Sequence, residues 1–326
     1  MPLRVLAYSL WQKQLGHKDS KAQRSTKIYL ILIHTIMIYQ LSNDILSVSI
    51  ASQGAELQSI LHKEHKLEYI WNANPAFWSK KSPVLFPIVG GLKNSTYTFE
   101  GTPYQLNRHG FAREKNFEVT VQTDDSITFT LVSDEESLQV YPFHFRFSMI
   151  YTLDQSNLKV TYEIENTGKQ SMYFSVGAHP AFAVPLVEGT AFTDHYLLFS
   201  DQEITGKWPL SPDGLIETAP VPLLENENTL ALTKELFYGD ALVFKHLKSN
   251  SISIQNHKNT HGLKLAYDGF PYMGIWSYKD ADFVCIEPWC GIADGVNTSG
   301  DITEKEGINS LSSNEIFMRS WSVELF

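Results

Sequence analysis

Cysteine is scarce in this sequence, with only Cys285 and Cys290 among 326 residues. So few cysteines in a chain of this length exclude a disulfide-bonded scaffold. Both lie in an apolar segment on either side of Pro288, and we expect two buried, reduced thiols. Reduced thiols indicate a reducing compartment, which favours a cytoplasmic location.

Basic residues are outnumbered, with Lys+Arg 26 against Asp+Glu 36 and a formal net charge of −10. Six of the basic residues but only one acidic residue lie in residues 1–36. The remaining 20 basic and 35 acidic residues give the rest of the chain a charge of −15. Such an acidic body argues against nucleic acid as a partner, because phosphates require a basic face.

Long hydrophobic runs are also missing. The most apolar stretch, residues 28–39, is about a dozen residues, short of the ~20 that span a bilayer. No stable membrane insertion is therefore expected. Residues 1–36 differ in composition from the rest, and we predict an extension outside the fold, with Met37 as the functional start. A disposable anchor or signal peptide is the alternative interpretation.

Period-two alternation dominates the chain after residue 40. Residues 45–51, 117–121 and 158–164 alternate apolar and polar side chains, as half-buried strands do. Helical periodicity over 11 or more residues is hard to find, and no linker separates two halves. Many short strands with turns between them predict one large all-β domain over residues 37–326, an antiparallel β-sandwich.

The segment Asn107–Arg113 follows a predicted hairpin and carries His109 between two arginines. Gly110 allows the backbone to approach a ligand closely. The planar guanidinium groups of Arg108 and Arg113 suit hydroxyl and anion recognition. The alternative is a solvated or structural histidine in a loop.

His179 follows a predicted strand and precedes Pro180, which holds it in extended backbone among small and apolar neighbours. A histidine in such surroundings is a candidate general acid. A core histidine with satisfied hydrogen bonds is an equally valid interpretation of this segment.

Glu287 is predicted to end an apolar strand and is followed by Pro288 and Trp289. Apolar neighbours raise the pKa of a carboxyl group, which makes Glu287 a candidate general base. A glutamate in solvent at a strand end is the alternative.

Two histidines and one carboxylate favour acid–base chemistry without a covalent nucleophile. No serine lies in a G-x-S-x-G turn, and residues 89–93 lack the spacing of a phosphate-binding loop. The pairs His62/His65 and His257/His261 have no further ligands at zinc-site spacing. We therefore expect neither a metal nor another cofactor.

Six segments in this order resemble the aldose 1-epimerase (galactose mutarotase) family, and its LacX-like branch in particular. They are Leu85–Gly90, Arg108–Arg113, Ala178–Pro180, Phe270–Trp276, Cys285–Trp289 and Glu304–Ile308. The match spans Met37 to Phe326, and nothing before Met37 resembles the family.

The resemblance implies a supersandwich fold and interconversion of the α and β anomers of a free aldose, a small sugar such as a hexose. It implies that Glu287 is the general base, His179 the general acid and His109 a second histidine on the ring-oxygen side. Asp240 stands at the position of a family aspartate that binds sugar hydroxyls, and Arg113 is a further candidate contact.

The sequence departs from the family pattern at Gly91, where related proteins often carry a sugar-binding arginine. Arg108 or Lys93 could replace that arginine. Five aromatic residues could stack on a sugar or pack in the core: Trp71, Trp78, Phe182, Trp276 and Trp289.

Three other functions stay open at this point. The first is a sugar-binding protein without catalysis, and the second is a glycoside-processing enzyme, which would need a second carboxylate such as Asp240 about 5–9.5 Å from Glu287. The third is specificity for a phosphorylated hexose, although no compact basic cluster is evident. The preferred aldose and the oligomeric state are not predicted.

Overall fold

Side chains alternate between buried and exposed positions along the long strands, as the sequence predicts. In the segment Phe145–Asp154 every second residue from Phe145 to Leu153 is buried, whereas Arg146 and Asp154 are exposed. Successive side chains of a strand point to opposite faces, so this segment turns one face to the core and the other to solvent.

The computed structural model describes residues 36–326. The predicted extension, residues 1–36, lies outside the described residues apart from Ile36. In the described part of the chain, no helix is long and apolar enough to cross a membrane.

Strands are numbered here in chain order. They are β1 (Ile38–Ser42), β2 (Leu46–Ala51), β3 (Leu57–His62), β4 (Leu67–Glu68), β5 (Thr96–Phe99), β6 (Thr102–Gln105), β7 (Glu118–Gln122), β8 (Ser126–Val132), β9 (Phe145–Asp154), β10 (Asn157–Asn166), β11 (Met172–Phe174), β12 (Val176–Gly177), β13 (Ala181–Ala183), β14 (His195–Lys207), β15 (Val221–Ala231), β16 (Leu242–Lys245), β17 (Ser251–Asn256), β18 (Leu263–Ala266), β19 (Tyr272–Trp276), β20 (Phe283–Cys290), β21 (Asn309–Leu311) and β22 (Ile316–Leu325). The α-helix α1 spans Glu135–Val140, and short 3₁₀ turns lie at Lys93–Ser95, Ala112–Glu114, Phe192–Asp194, Lys234–Phe237 and Ile302–Glu304.

Antiparallel pairing joins these strands into sheets. Within residues 36–326 the largest sheet has nine strands, in the order β15-β14-β17-β18-β22-β10-β9-β8-β7. A second sheet has the order β12-β20-β19-β16, with β13 also paired to β20, and a third has the order β1-β2-β3-β4. Val48, Phe147 and Ile286, one from each sheet, belong to the same buried cluster. The predicted antiparallel β-sandwich is therefore confirmed.

Three local features differ from the sequence-based expectations. The strand that contains Glu287 does not end there but continues to Cys290. Strand β15 was not predicted, because its segment Glu225–Asn228 is uniformly polar. Helix α1 is too short to show periodicity; its N-terminus is instead fixed by a capping box in which Asp134 accepts from Ser137 N at 2.6 Å.

Strand β20 is buried along its whole length, which means that both of its faces are covered. Cys285 and Cys290 lie on opposite faces: Cys290 joins the main core, whereas Cys285 packs with Trp71 and Phe283. Both thiols are free and buried, as predicted.

An ion pair buried below the end of β20 ties distant segments together. Lys305 Nζ lies 2.6 Å from Asp294 Oδ1, and both side chains are 3% exposed. The other carboxylate oxygen of Asp294 accepts from Lys93 N at 3.0 Å. The backbone of Asp294 bonds to Gly91 O and Ile216 N. Asp294 thus anchors the segment that contains Gly91.

We expect Asp294→Asn to lower the free energy of unfolding by about 3 kcal/mol, because Lys305 would be left as a buried charge without its counter-ion. Chemical denaturation measures the change. Glu306→Gln is the matched control: Glu306 pairs with Lys245 at 2.7 Å but is 45% exposed, so its loss should cost less than about 1 kcal/mol. Equal losses in the two variants would contradict a structural role for the buried pair.

Candidate active site

Most of the predicted site residues meet in one cavity of about 740 Å³. Seven of the eight line its wall: Glu287, His179, His109, Asp240, Arg108, Arg113 and Trp289. The eighth, Lys93, is not on the wall, and its Nζ donates to the carbonyl of Val296 at 2.9 Å. Lys93 therefore lies apart from the other predicted site residues.

The ladder around β20 brings His179 opposite Glu287. Gly177 of β12 pairs with Trp289, and Ala181 of β13 pairs with Cys285. His179 lies in the gap between β12 and β13, midway between these two pairings. Glu287 lies at the corresponding position on β20. The imidazole Nε2 and a Glu287 carboxyl oxygen (Oε2) consequently lie 3.3 Å apart.

Trp289 lies on the same face of β20 as Glu287, and glycines on both neighbouring strands leave space for its indole ring. A Cβ atom on Gly177 would lie 2.6 Å from the ring, and one on Gly274 would lie 2.3 Å from it. The indole N–H has no hydrogen-bond partner among the described residues, yet lies close enough to Glu287 to lower the pKa of its carboxyl group.

His109 is held in one orientation by the backbone of Gly90. Gly90 N–H donates to His109 Nδ1 at 3.1 Å, and His109 N–H donates to Gly90 O at 2.9 Å. In the neutral ring the proton must then sit on Nε2, which makes this nitrogen a donor. His109 and Gly110 both have a positive φ, and a Cβ on Gly110 would meet Phe86 O at 2.3 Å.

Burial dominates the electrostatics of the acid–base pair. It raises the pKa of Glu287 well above the ordinary 4.5; Arg108 opposes the rise and Asp240 adds to it. Burial also lowers the pKa of His179 to about 3 and that of His109 well below 6.5. Since desolvation disfavours both the carboxylate and the imidazolium, these shifts favour a His179–Glu287 pair that shares one proton and carries no net charge.

Two tryptophan rings pack against the imidazole of His179. The Trp78 indole stacks on His179 at 5.0 Å between ring centroids, and Trp276 meets the same imidazole edge-on at 5.6 Å. Both tryptophans line the cavity. Trp71 and Phe182, the other two stacking candidates besides Trp289, are buried and do not line it.

Polar side chains line another part of the cavity wall. Arg113 Nη2 donates to the carbonyl of Arg108 at 3.0 Å, which joins the two arginines in one loop. The Arg108 guanidinium lies against Gly214, where a Cβ would approach it to 3.2 Å. Asp240 has a φ of 85° and accepts from Ala241 N through Oδ1 at 2.7 Å. Its second oxygen, Oδ2, accepts no hydrogen bond from the described residues.

Three residues on the outer rim of the cavity are not among the predicted site residues. Tyr238, Tyr278 and Lys279 line the cavity. Lys279 Nζ lies 5.0 Å from the centre of the Tyr238 ring, and Tyr238 Oη donates to Asp280 at 2.7 Å. These residues lie in loops next to short strands, where alternation gives no signal.

Two clusters in the described part of the chain contain side chains of the types that bind metals. Among the described residues, His179, Cys285 and Glu287 have donor atoms that all lie within 4.8 Å of one another. Near the surface, His65 stacks on His62 at 4.2 Å and contacts His261 at 4.6 Å between ring centroids.

Most of the chain is similar to known proteins. The model of the aldose 1-epimerase family matches residues 37–307. The chromosomal LacX protein of Lactococcus lactis subsp. lactis is 32% identical over 89% of this chain and 99% of its own length.

Two solved structures share the fold closely. A galactose mutarotase related enzyme from Lactobacillus acidophilus has a TM-score of 0.85 and 36% identity, covering 89% of this chain and 97% of its own. A galactose mutarotase-like protein from Lactobacillus casei has a TM-score of 0.82 and 29% identity, covering 89% and 100%. By its sequence and its fold, the chain belongs to the aldose 1-epimerase family, in its LacX-like branch.

Proposed function

We propose that this protein is a mutarotase that interconverts the α and β anomers of a free hexose. The observation that carries the proposal is the 3.3 Å separation of His179 Nε2 and Glu287 Oε2 at the floor of the cavity. The anomeric hydroxyl and the ring oxygen of a pyranose are bonded to the same carbon, C1. An acid and a base this close together can therefore reach both oxygens of one bound sugar.

Ring opening moves two protons. Glu287 removes the proton from the C1 hydroxyl while His179 gives a proton to the ring oxygen, and the C1–ring oxygen bond breaks. The product is the open aldehyde, with a proton on Glu287 and none on His179. Rotation about the C1–C2 bond then exposes the other face of the carbonyl group.

Ring closure reverses both transfers. The C5 hydroxyl attacks the carbonyl carbon, His179 takes the proton of that hydroxyl, and Glu287 returns a proton to the carbonyl oxygen. The pair holds one proton before, during and after turnover. The reaction thus never requires a net charge in the buried site. The proton lies on His179 before ring opening, and the opposite pKa shifts of the two side chains favour its arrival on Glu287 as the ring opens.

The remaining polar groups have supporting roles in this proposal. The Nε2–H of His109 donates to the ring-oxygen side of the sugar and stabilises negative charge that develops there. Arg108, Arg113 and Asp240 bind hydroxyl groups, and the Trp289 ring covers an apolar face of the sugar.

Two relatives support a hexose substrate and a catalytic role, since their names refer to galactose mutarotase. The buried free thiols support a cytoplasmic location.

We expect Glu287→Gln and His179→Asn each to lower kcat at least ~10²-fold, because each variant removes one of the two proton carriers. Polarimetry on freshly dissolved α-D-galactose and α-D-glucose measures the rate above spontaneous mutarotation. Asp282→Asn is the matched control, since that exposed carboxylate adjoins β20 but pairs with Lys234 outside the cavity. Near-normal turnover in either site variant would contradict the assigned roles.

Three further measurements separate the alternative functions. A sugar-binding protein would bind galactose without accelerating mutarotation, and a glycoside-processing enzyme would release reducing sugar from a glycoside. Acceleration of glucose 6-phosphate alone would indicate a phosphorylated substrate.

The pH dependence of the activity follows from the pKa shifts of His179 and Glu287. Activity requires one proton on the pair, so the acid limb reports protonation of neutral His179, whose pKa is about 3. Loss of the proton from Glu287 sets the alkaline limb, above the ordinary carboxyl pKa. We expect kcat/KM, corrected for the uncatalysed rate, to hold its plateau as the pH falls from 6.5 to 4.5. A decline with a midpoint near 6.5 would show that His179 titrates as a free imidazole.

A further inference from the structure

Cys285 lies directly behind the proposed acid–base pair. It precedes Glu287 by two residues on β20, so both side chains are on the same face of the strand. Its partner across the ladder, Ala181, is two residues after His179. Cys285 is fully buried beside Trp71 and Phe283 and does not line the cavity. The proposed mechanism makes no use of its thiol.

Cys285, His179 and Glu287 bring together one sulfur, one nitrogen and one oxygen atom that can bind a metal ion. The Cys285 Sγ, an imidazole nitrogen of His179 and a carboxyl oxygen of Glu287 all lie within 4.8 Å of one another. Zinc binds these atoms at about 2.0–2.3 Å, which places two ligands of a tetrahedral ion roughly 3.5 Å apart. Side-chain adjustments of about 1 Å would therefore complete three bonds, and the fourth position would face the cavity.

We propose that Cys285, His179 and Glu287 form a zinc site whose occupancy switches off the acid–base pair. The thiolate selects a thiophilic ion such as Zn²⁺ over Mg²⁺ or Ca²⁺, which prefer oxygen ligands. On binding, the thiol releases its proton to solvent, and the ion takes the lone pairs of the imidazole and the carboxylate. These are the two side chains that carry protons in the proposed mechanism, so the consequence for activity rests on the proposed function.

Metal binding itself is tested without any sugar. The full chain, kept reduced, is titrated with Zn²⁺ by calorimetry and with Co²⁺ by absorption spectroscopy, in which a cobalt–thiolate bond gives a charge-transfer band. Wild type should bind one ion with that band. Cys285→Ser should weaken zinc binding more than ~10-fold and remove the band.

Cys290→Ser is the matched control, because Cys290 is the other buried thiol of β20 and lies on the opposite face. It should bind zinc as wild type does. Cys285→Ala, which adds no hydroxyl group, repeats the measurement should the serine variant be unstable.

Polarimetry then tests the inhibitory effect. Zinc should suppress mutarotation in wild type and Cys290→Ser but not in Cys285→Ser, which keeps its activity without metal. A protein with no mutarotase activity that still binds cobalt through Cys285 would refute the proposed function and leave the metal site standing.

Two results would overturn the site. One is a wild-type cobalt spectrum without a thiolate band. The other is zinc affinity that is equal in wild type and Cys285→Ser, as expected if the ion binds only the surface cluster of His62, His65 and His261.

Discussion

The contact between His179 and Glu287 places two ionisable groups out of water, and the surrounding structure is arranged to make this possible. Burial disfavours the charged form of each group, but a pair that shares one proton carries no net charge. The gap between β12 and β13 supplies the geometry, since it leaves His179 opposite Glu287 without a backbone partner. In the proposed mechanism, proton transfer through a sugar keeps the same net charge, so no isolated ion has to be buried in the site.

Buried carboxylates elsewhere in the sandwich show how different this arrangement is. Glu203 is as buried as Glu287, but it accepts hydrogen bonds from the Ser249 backbone at 2.8 Å and hydroxyl at 2.7 Å. Asp294 has its Lys305 counter-ion and a backbone donor. Among the described residues, no backbone N–H donates to the Glu287 carboxyl group. It faces His179 and lines the cavity, unlike Glu203 and Asp294, whose carboxylates hold backbone segments in place.

The sequence predicted the sandwich and most of the cavity wall because both depend on local patterns. Alternation marks strands such as β9, and short motifs mark His109, His179 and Glu287. The pairing that joins His179 to Glu287 spans more than a hundred residues, so only the family resemblance placed them together. Lys93 was misplaced because its direction depends on Asp294, a distant anchor. The rim residues and β15 were missed because polar loops and edge strands show no apolar period.

Arg108 acts on the pKa values of both members of the His179–Glu287 pair. It lies in the loop that also carries His109, whose ring and backbone bond to Gly90. Arg108 lowers the pKa of Glu287, opposing burial, and also lowers the pKa values of His179 and His109. It therefore favours the ionised form of Glu287, which accepts a proton in the proposed mechanism, and opposes the protonated form of His179, which donates one. Under the proposed function, this loop both positions the second histidine and shifts the balance between the two proton carriers, so we expect changes in it to affect binding and proton transfer together.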